Sequence, residues 1–264
     1  MDKIKLILKR IIPVPILNFI TGFFYGWRGN YKTWSEAQKK TSGYASPNIL
    51  EKVKQATLKV KNGDAVFERD SVIFNKIEYS YPVLSALMWI AAQNKGKLNI
   101  LDFGGSLGSS YYQNKQFSDS LPELNWCIVE QTNFVQEGLQ NFSDEKLHFY
   151  YTIDECLSKN NIDIILLSSV LQYIEKPYEL LEQIKSKRIK YILIDRTPFI
   201  KGKDRITIQK VHPKIYKAKY PCWFFNESKF INSIINDYNI IMEFDALDRA
   251  NIQSTFKGFL FNKK

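Results

Sequence analysis

The sequence predicts an α/β protein built on one mostly parallel, seven-stranded sheet, with an antiparallel C-terminal hairpin and a helical N-terminal extension. Three observations carry this reading. From residue 97 onward, short apolar runs alternate with amphipathic stretches, the pattern of a parallel sheet covered on both faces. The first of these runs ends in a glycine-rich turn. The last two are joined by a polar loop with no helical pattern, so they should pair with each other.

Taken in order, the chain opens on a basic and apolar segment that resembles a signal peptide. Pro13 and Pro15 interrupt it, no small-residue cleavage site follows, and no run reaches the ~18–20 apolar residues that span a bilayer. Lys3, Lys5, Lys9 and Arg10 beside Ile4, Leu6, Ile7, Leu8, Ile11 and Ile12 suit a basic amphipathic helix. Residues 1–24 then either lie on a membrane surface or pack on their own domain. Ser46-Pro47 is a helix start, with helical apolar spacing from Asn48 to Val60 and a stop at Asn62-Gly63. Tyr79 to Gln93 is a second helix. Residues 1–95 are thus read as the extension or cap, and 96–264 as the sheet domain.

In the sheet domain, Lys97 to Phe103, Leu124 to Glu130, Leu147 to Tyr151, Ile162 to Ser169 and Lys190 to Asp195 read as five buried strands. Helical patterns fall at Thr132 to Asn141, Lys176 to Lys185 and Asn226 to Asp237. Asn239 to Leu247 and Thr255 to Asn262 form the closing hairpin.

Composition limits the function classes. The 264 residues carry 45% apolar and 24% charged side chains, which excludes wholesale disorder. Three Cys at unrelated positions give no disulfide framework or zinc knuckle, and point to a reducing, cytoplasmic setting. Two His leave no His-rich metal site. The formal charge of +10 asks for an anionic partner: nucleic acid, a membrane surface or a phosphorylated substrate.

The most informative segment runs from Asn99 to Ser109. A buried strand ends in Asp102, and Gly104, Gly105 and Gly108 follow. Such glycines let the backbone turn tightly and approach a ligand beyond the carboxyl ends of the strands. Glu130 ends the second strand about 20 residues later, where a carboxylate can accept from a ribose diol. A dinucleotide needs a pyrophosphate at the helix N-terminus, and Asp102 would disfavour one. A carboxylate there suits a cation bearing an ammonium and a sulfonium. The segment resembles the first motif of class I S-adenosylmethionine-dependent methyltransferases, a Rossmann-like fold that also ends in an antiparallel hairpin. Ser106 departs from it at the middle glycine position.

The resemblance extends along residues 25–260. Tyr31-Lys-Thr-Trp34, Glu36-Ala37, Gly43-Tyr44, Phe67-Glu-Arg-Asp-Ser71, Leu101 to Gly108, Trp126 to Gln131, Ser168 to Tyr173, Asp195-Arg-Thr-Pro-Phe199 and Tyr220 to Phe225 are similar to a bacterial methyltransferase family. That family is associated with capsule and O-antigen polysaccharide synthesis. It implies S-adenosylmethionine as cofactor, with no metal. It implies that Asp102, Gly104 and Gly108 line the methionine part, with Gly105 and Ser106 in the same cofactor-binding turn, that Glu130 holds the ribose, and that Gln131 and Asp154 lie by the adenine. Ser168 to Gln172 would flank the methyl, with Leu166, Leu167 and Val170 in the core. Arg69 is a candidate for the cofactor carboxylate, although Glu68-Arg69-Asp70 also reads as a solvated turn.

The loop from Arg196 to Phe225 is long for a simple connection. Its Arg196, Lys201, Lys203, Arg205, Lys210, Lys214, Lys217 and Lys219 face a single acid, Asp204, and alternate with Tyr216, Tyr220, Trp223, Phe224 and Phe225. Arg196, Arg205, Tyr216, Tyr220 and Trp223 are read as the acceptor site for a phosphate-bearing glycan precursor. A nucleic-acid patch or a solvated loop with core aromatics has the same look. Asp195, Tyr173, Glu68 and His212 are the general-base candidates. His212 stands where the family carries proline. Two other functions stay open: an NAD-dependent oxidoreductase, and a non-catalytic, membrane-associated accessory protein.

Overall fold

The computed structural model describes residues 25–41, 47–213 and 215–264. The N-terminal segment 1–24, Ser46 of the first helix start, and Lys214 lie outside the described residues. No helix among the described residues is long and apolar enough to cross a membrane.

The parallel centre of the sheet has β6 (Leu147–Tyr150), β5 (Glu123–Val129), β4 (Lys97–Phe103), β7 (Ile164–Ser168) and β8 (Tyr191–Ile200), in that order. β12 (Thr255–Lys263) runs antiparallel along β8, and β11 (Tyr238–Asp245) pairs antiparallel with β12. The expected hairpin is therefore present, with the reversed strand beside β8.

Both faces of these strands are apolar because both are covered. Side chains alternate with the pleat. Ile100, Trp126, Ile164 and Leu193 enter one core with Val53 of α2 (Pro47–Lys61) and Leu87 and Ile90 of α3 (Tyr81–Gln93). Leu101, Cys127, Ile165 and Ile194 enter the other with Leu181 and Ile184 of α7 (Pro177–Ser186) and Phe230 of α8 (Glu227–Asn232). Helices α4 (Ser109–Ser118), α5 (Thr132–Asn141) and α6 (Ile153–Lys159) complete the cover.

Two expectations need correction. The extension is not purely helical. Besides α1 (Trp34–Gln38), α2 and α3 it holds β1 (Gly26–Tyr31) and the small hairpin of β2 (Phe67–Arg69) and β3 (Val72–Phe74). The segment from Arg196 to Phe225 is not a loop either. β8 runs on to Ile200, past its last pairing with β7 at Asp195. There β10 (Lys219–Asn226) takes over as its neighbour, pairing Phe225 with Phe199. β9 (Arg205–Lys210) pairs antiparallel with β10, and β1 with β9, which makes a ten-stranded sheet. Sequence patterning missed these strands because Arg205, Lys210 and Lys219 stand at the ends of β9 and β10, so that the stretch reads as a charged loop. The unit β10–β9–β1 stands as a wall beyond the carboxyl end of β7, over the crevice.

Asn251, in the β11–β12 loop, locks the wall: its amide accepts from the Trp27 backbone N–H (2.8 Å) and donates to the Trp27 carbonyl (3.0 Å). Within β12, register shifts between Lys257 and Phe259, and Gly258 lies there. A Cβ at Gly258 would stand 2.1 Å from Phe244 Cζ and 2.7 Å from the Ile194 carbonyl oxygen. The backbone oxygen cannot swing aside, so Gly258→Ala should cost about 1–3 kcal/mol. Urea denaturation will read this as a lower midpoint; an unchanged midpoint would show that β8 and β12 can separate freely.

Candidate active site

The crevice floor is the turn after β4. Gly104 adopts φ +72°, Ser106 +56° and Gly108 +104°, the left-handed region where glycine is at ease and serine is strained. A Cβ at Gly104 would reach Val170 Cγ2 at 2.5 Å, and one at Gly105 would reach the Asp102 carboxyl at 2.6 Å. The turn can therefore lie flat on Asp102 only with a bare backbone. Asp102 is 1% exposed and accepts from Trp126 Nε1 on β5 at 3.0 Å. Burial pushes its pKa up to about 7, with the Trp126 hydrogen bond opposing and the Glu130 charge adding. Gly108 then caps α4.

One strand over, Glu130 follows β5. Its carboxylate accepts from the Gln131 backbone N–H. Burial raises its pKa to about 7, against hydrogen bonds from the Gln131 and Ser106 backbones. Beyond β7, the Tyr173 hydroxyl donates to Gln209 Oε1 of β9 at 2.7 Å, and the Tyr216 and Tyr220 hydroxyls lie 3.3 Å apart. Arg196, at the turn of β8 past Asp195, has φ +54°. It donates from both Nε (2.8 Å) and Nη2 (3.1 Å) to Asp248, with Asp70 3.9 Å away. Burial opposes its charge, but Asp248 and Asp70 outweigh that and hold its pKa above the ordinary arginine value.

These groups enclose one cavity of about 500 Å³, within the size range of ligand sites. Of the residues expected at a site, Arg69, Asp102, Gly104, Gly105, Ser106, Glu130, Gln131, Ser168, Tyr173, Arg196, Tyr216 and Tyr220 line it. The structure thus gathers segments from β2 to the β9–β10 connection around one space. Among the described residues, its charged lining is four acids (Asp70, Asp102, Glu130, Asp248) and two cations (Arg69, Arg196). Lys201, Lys203, Lys210, Lys217 and Lys219 are exposed to solvent and do not line it.

Other expected residues fall elsewhere. Glu68 turns inward, 1% exposed, and accepts from the Ser109 hydroxyl and the Ser71 backbone (3.3 Å), which fixes the β2–β3 turn on α4. Asp195 lines a neighbouring cavity of about 160 Å³, with Oδ2 taken by the Ser168 hydroxyl at 3.1 Å. Asp154 pairs with Lys187 at 2.5 Å, away from the cavity, because α6 directs it toward the end of α7. Tyr151, three residues earlier, lines the cavity instead. His212 packs against Tyr25, ring centroids 4.6 Å apart, while its neighbour Val211 reaches the cavity. Arg205 Nε donates to the Gly29 carbonyl at 2.8 Å and ties β9 to β1. Trp223 stacks between Trp34 and Phe225 and donates to the Ile174 carbonyl at 3.0 Å. Those last two side chains build the wall rather than line the cavity.

Sequence reasoning missed Trp27, Tyr151, Gln209 and Asp248 as lining residues, and saw Asp70 only as part of a charged triplet. Trp27 and Gln209 become neighbours only through the β1–β9 pairing, and Asp248 sits in a polar loop with no local signal.

No family model and no curated protein matches this sequence. Solved structures that resemble it include the N-terminal domain of EvdMO1 with SAH bound, at 10% identity and TM-score 0.49, covering 81% of this chain and 97% of that one. Magnesium protoporphyrin IX methyltransferase from Synechocystis PCC 6803 with bound SAM is similar at 12% identity and TM-score 0.47, covering 84% and 100%. The glycopeptide N-methyltransferase MtfA complexed with sinefungin follows at 8% identity and TM-score 0.47, covering 69% and 94%. The strand order is independent of these likenesses. Taken along the sheet, β6–β5–β4–β7–β8–β12–β11 is a Rossmann-like order in which β12, the last strand of the chain, is reversed. The fold is Rossmann-like, with an antiparallel strand beside β8.

Burial raises Glu68, Asp102 and Glu130 to about 7 and Asp195 to about 6, from ordinary values of 4.5 or 3.8. The folded, ligand-free protein therefore holds protons that the unfolded chain releases. This stabilising contribution is full below the unfolded values and is lost as pH rises through about 6–7. Thermal melts should show a melting temperature that falls between about pH 5 and pH 8; a rise over that interval would contradict these environments.

Proposed function

We propose that this chain is an S-adenosylmethionine-dependent methyltransferase that O-methylates a sugar or phosphate-type group of a cell-surface polysaccharide precursor. One observation carries the cofactor reading. Asp102 lies buried under a side-chain-free turn, Glu130 stands one strand away, and both open into an acid-rich cavity within a chain of net charge +10. That local reversal of sign suits a ligand bearing a sulfonium and an ammonium. It opposes a pyrophosphate, and so speaks against a nicotinamide dinucleotide.

The residues fit such a cofactor. The Glu130 carboxylate, at the end of β5, is placed to accept from the ribose diol. The turn at Gly104 and Gly105 offers bare backbone for close approach, and Asp102 beneath it gives the field a negative sign. Arg69 on the cavity wall is the cation for a carboxylate. When bound, S-adenosylmethionine supplies a methyl group made electrophilic by its sulfonium. The protein's task is then to align an acceptor lone pair about 3 Å from that carbon and to exclude water.

The acceptor reading rests on the resemblance to the polysaccharide-associated family and on the tyrosine-lined end of the cavity. Sugars pack on aromatic faces and hydrogen-bond to phenols. The exposed Lys201, Lys203 and Lys217 supply positive charge for a phosphate elsewhere on the acceptor.

Calorimetry should show S-adenosylmethionine binding and no heat with NAD. Glu130→Ala should weaken binding about 10- to 100-fold, the loss expected when hydrogen bonds to a charged acceptor are removed. Equal affinity of wild type and variant, or preference for NAD, would overturn the proposal. A methyl-transfer screen over nucleotide-linked sugars and phosphorylated glycans then identifies the acceptor.

A further inference from the structure

The crevice has a direction. Strand order places Glu130 after β5, the glycine turn after β4, Ser168 to Tyr173 after β7 and Arg196 on β8. From Glu130 to Arg196 is three strand spacings, roughly 14 Å. On the cofactor reading above, the ribose sits at the Glu130 end and the sulfur near the glycine turn. The ends of β7 and β8, under the β9–β10 wall, are left for the acceptor.

Among the described residues, one carboxylate that lines the main cavity at this end accepts no hydrogen bond. Asp248 spends both oxygens on Arg196, Asp195 lies in the neighbouring cavity, and Glu68 is buried beneath Ser109. Asp70 lines the main cavity with its side chain 57% exposed, and its nearest cation among the described residues, Arg196 Nη2, is 3.9 Å away, beyond hydrogen-bond reach. The backbone holds it there. Arg69 pairs with Val72, so Asp70 and Ser71 are the two central residues of a tight hairpin turn, at φ +53° and +67°. Such a turn favours Asn-Gly. Asp-Ser in this conformation is strained, and strain of this kind gathers at functional sites.

Three phenols face the same space. Tyr173, Tyr216 and Tyr220 are held above the ordinary phenol range by burial first, and the charge of Asp70 pushes each in the same direction. They stay protonated, so they donate hydrogen bonds and cannot accept the acceptor's proton.

We infer that Asp70 is the general base, and that the acceptor group is an uncharged hydroxyl seated against Tyr173, Tyr216 and Tyr220. The hydroxyl proton passes to the Asp70 carboxylate as the oxygen lone pair forms the new C–O bond. The C–S bonding pair stays on sulfur. The products are a methyl ether, a neutral thioether and a protonated Asp70 that returns its proton to solvent. A phosphate oxygen at this position would meet the Asp70 charge and be repelled, so phosphate is not the methylated group.

The test needs no acceptor. Sinefungin carries an amine where S-adenosylmethionine carries the transferable methyl; S-adenosylhomocysteine carries nothing there. Calorimetry on the full chain compares the two ligands in wild type, Asp70→Asn and Asp70→Gly. The glycine variant removes the carboxylate and also suits the positive φ, which guards against misfolding. In wild type the ammonium lies near Asp70, so sinefungin should bind more tightly than S-adenosylhomocysteine. In both variants that preference should drop about tenfold, the effect of an opposite charge at close range, with S-adenosylhomocysteine affinity unchanged. An unchanged preference would overturn the role of Asp70 and leave the cofactor reading standing. Equal weakening of both ligands would also overturn it, and would place Asp70 on the cofactor's amino-acid end. Failure of wild type to bind either ligand would overturn both readings together.

Discussion

The site depends on the burial of one carboxylate. Asp102 closes β4 inside the sheet, held by the indole N–H of Trp126 from the neighbouring strand and roofed by Gly105. A carboxylate in so dry a place is costly unless it is hydrogen-bonded or protonated. The indole meets part of that cost, and the raised pKa meets more. The roof then has no room for a Cβ, so the turn is bare backbone from Gly104 to Gly105. The floor of the cavity and the field felt by a cation above it follow from the same packing.

The second determinant is the length of β8. Had it stopped beside β7, the crevice would open directly to solvent, as at the edge of a plain doubly wound sheet. It continues to Ile200, and β10, β9 and β1 are stacked on that continuation. The wall supplies Gln209 and Tyr220, and the connection between β9 and β10 supplies Tyr216. Charge is sorted across it: the surplus lysines point outward, while acids outnumber cations inside. The net charge of +10 therefore does not describe the cavity, whose described lining has the opposite sign.

The parallel strands, the glycine turn and Glu130 were legible in the sequence because each depends on local chemistry: an apolar run, a bare turn and a carboxylate at a strand end. The hairpin of β11 and β12 was legible for the same reason. β9, β10 and β1 were not: β1 meets β9 through residues nearly two hundred positions apart, such as Trp27 and Gln209, and the Lys and Arg at the ends of β9 and β10 made that stretch read as a charged loop. Arg205 and Trp223 looked like ligand contacts because arginines and aromatics serve both in binding and in packing. Only the Gly29 carbonyl and the Trp34–Trp223–Phe225 stack separate the two uses. Asp70 and Glu68 show the converse. They are two residues apart in one strand and turn, yet one faces the cavity and the other the core, and backbone dihedrals decide which.

Four non-glycine residues with positive φ line the cavity: Asp70, Ser106, Ser169 and Arg196. Strain gathered around a set of buried carboxylates describes a site shaped before its ligand arrives. If the site takes a sulfonium cation, as proposed, binding must be linked to protons. Calorimetric titration with S-adenosylmethionine near pH 7, in two buffers of different ionisation enthalpy, measures the protons exchanged on binding. A cation over Asp102 and Glu130 favours their charged forms, so the account predicts net proton release. Proton uptake, or no binding at all, would contradict it.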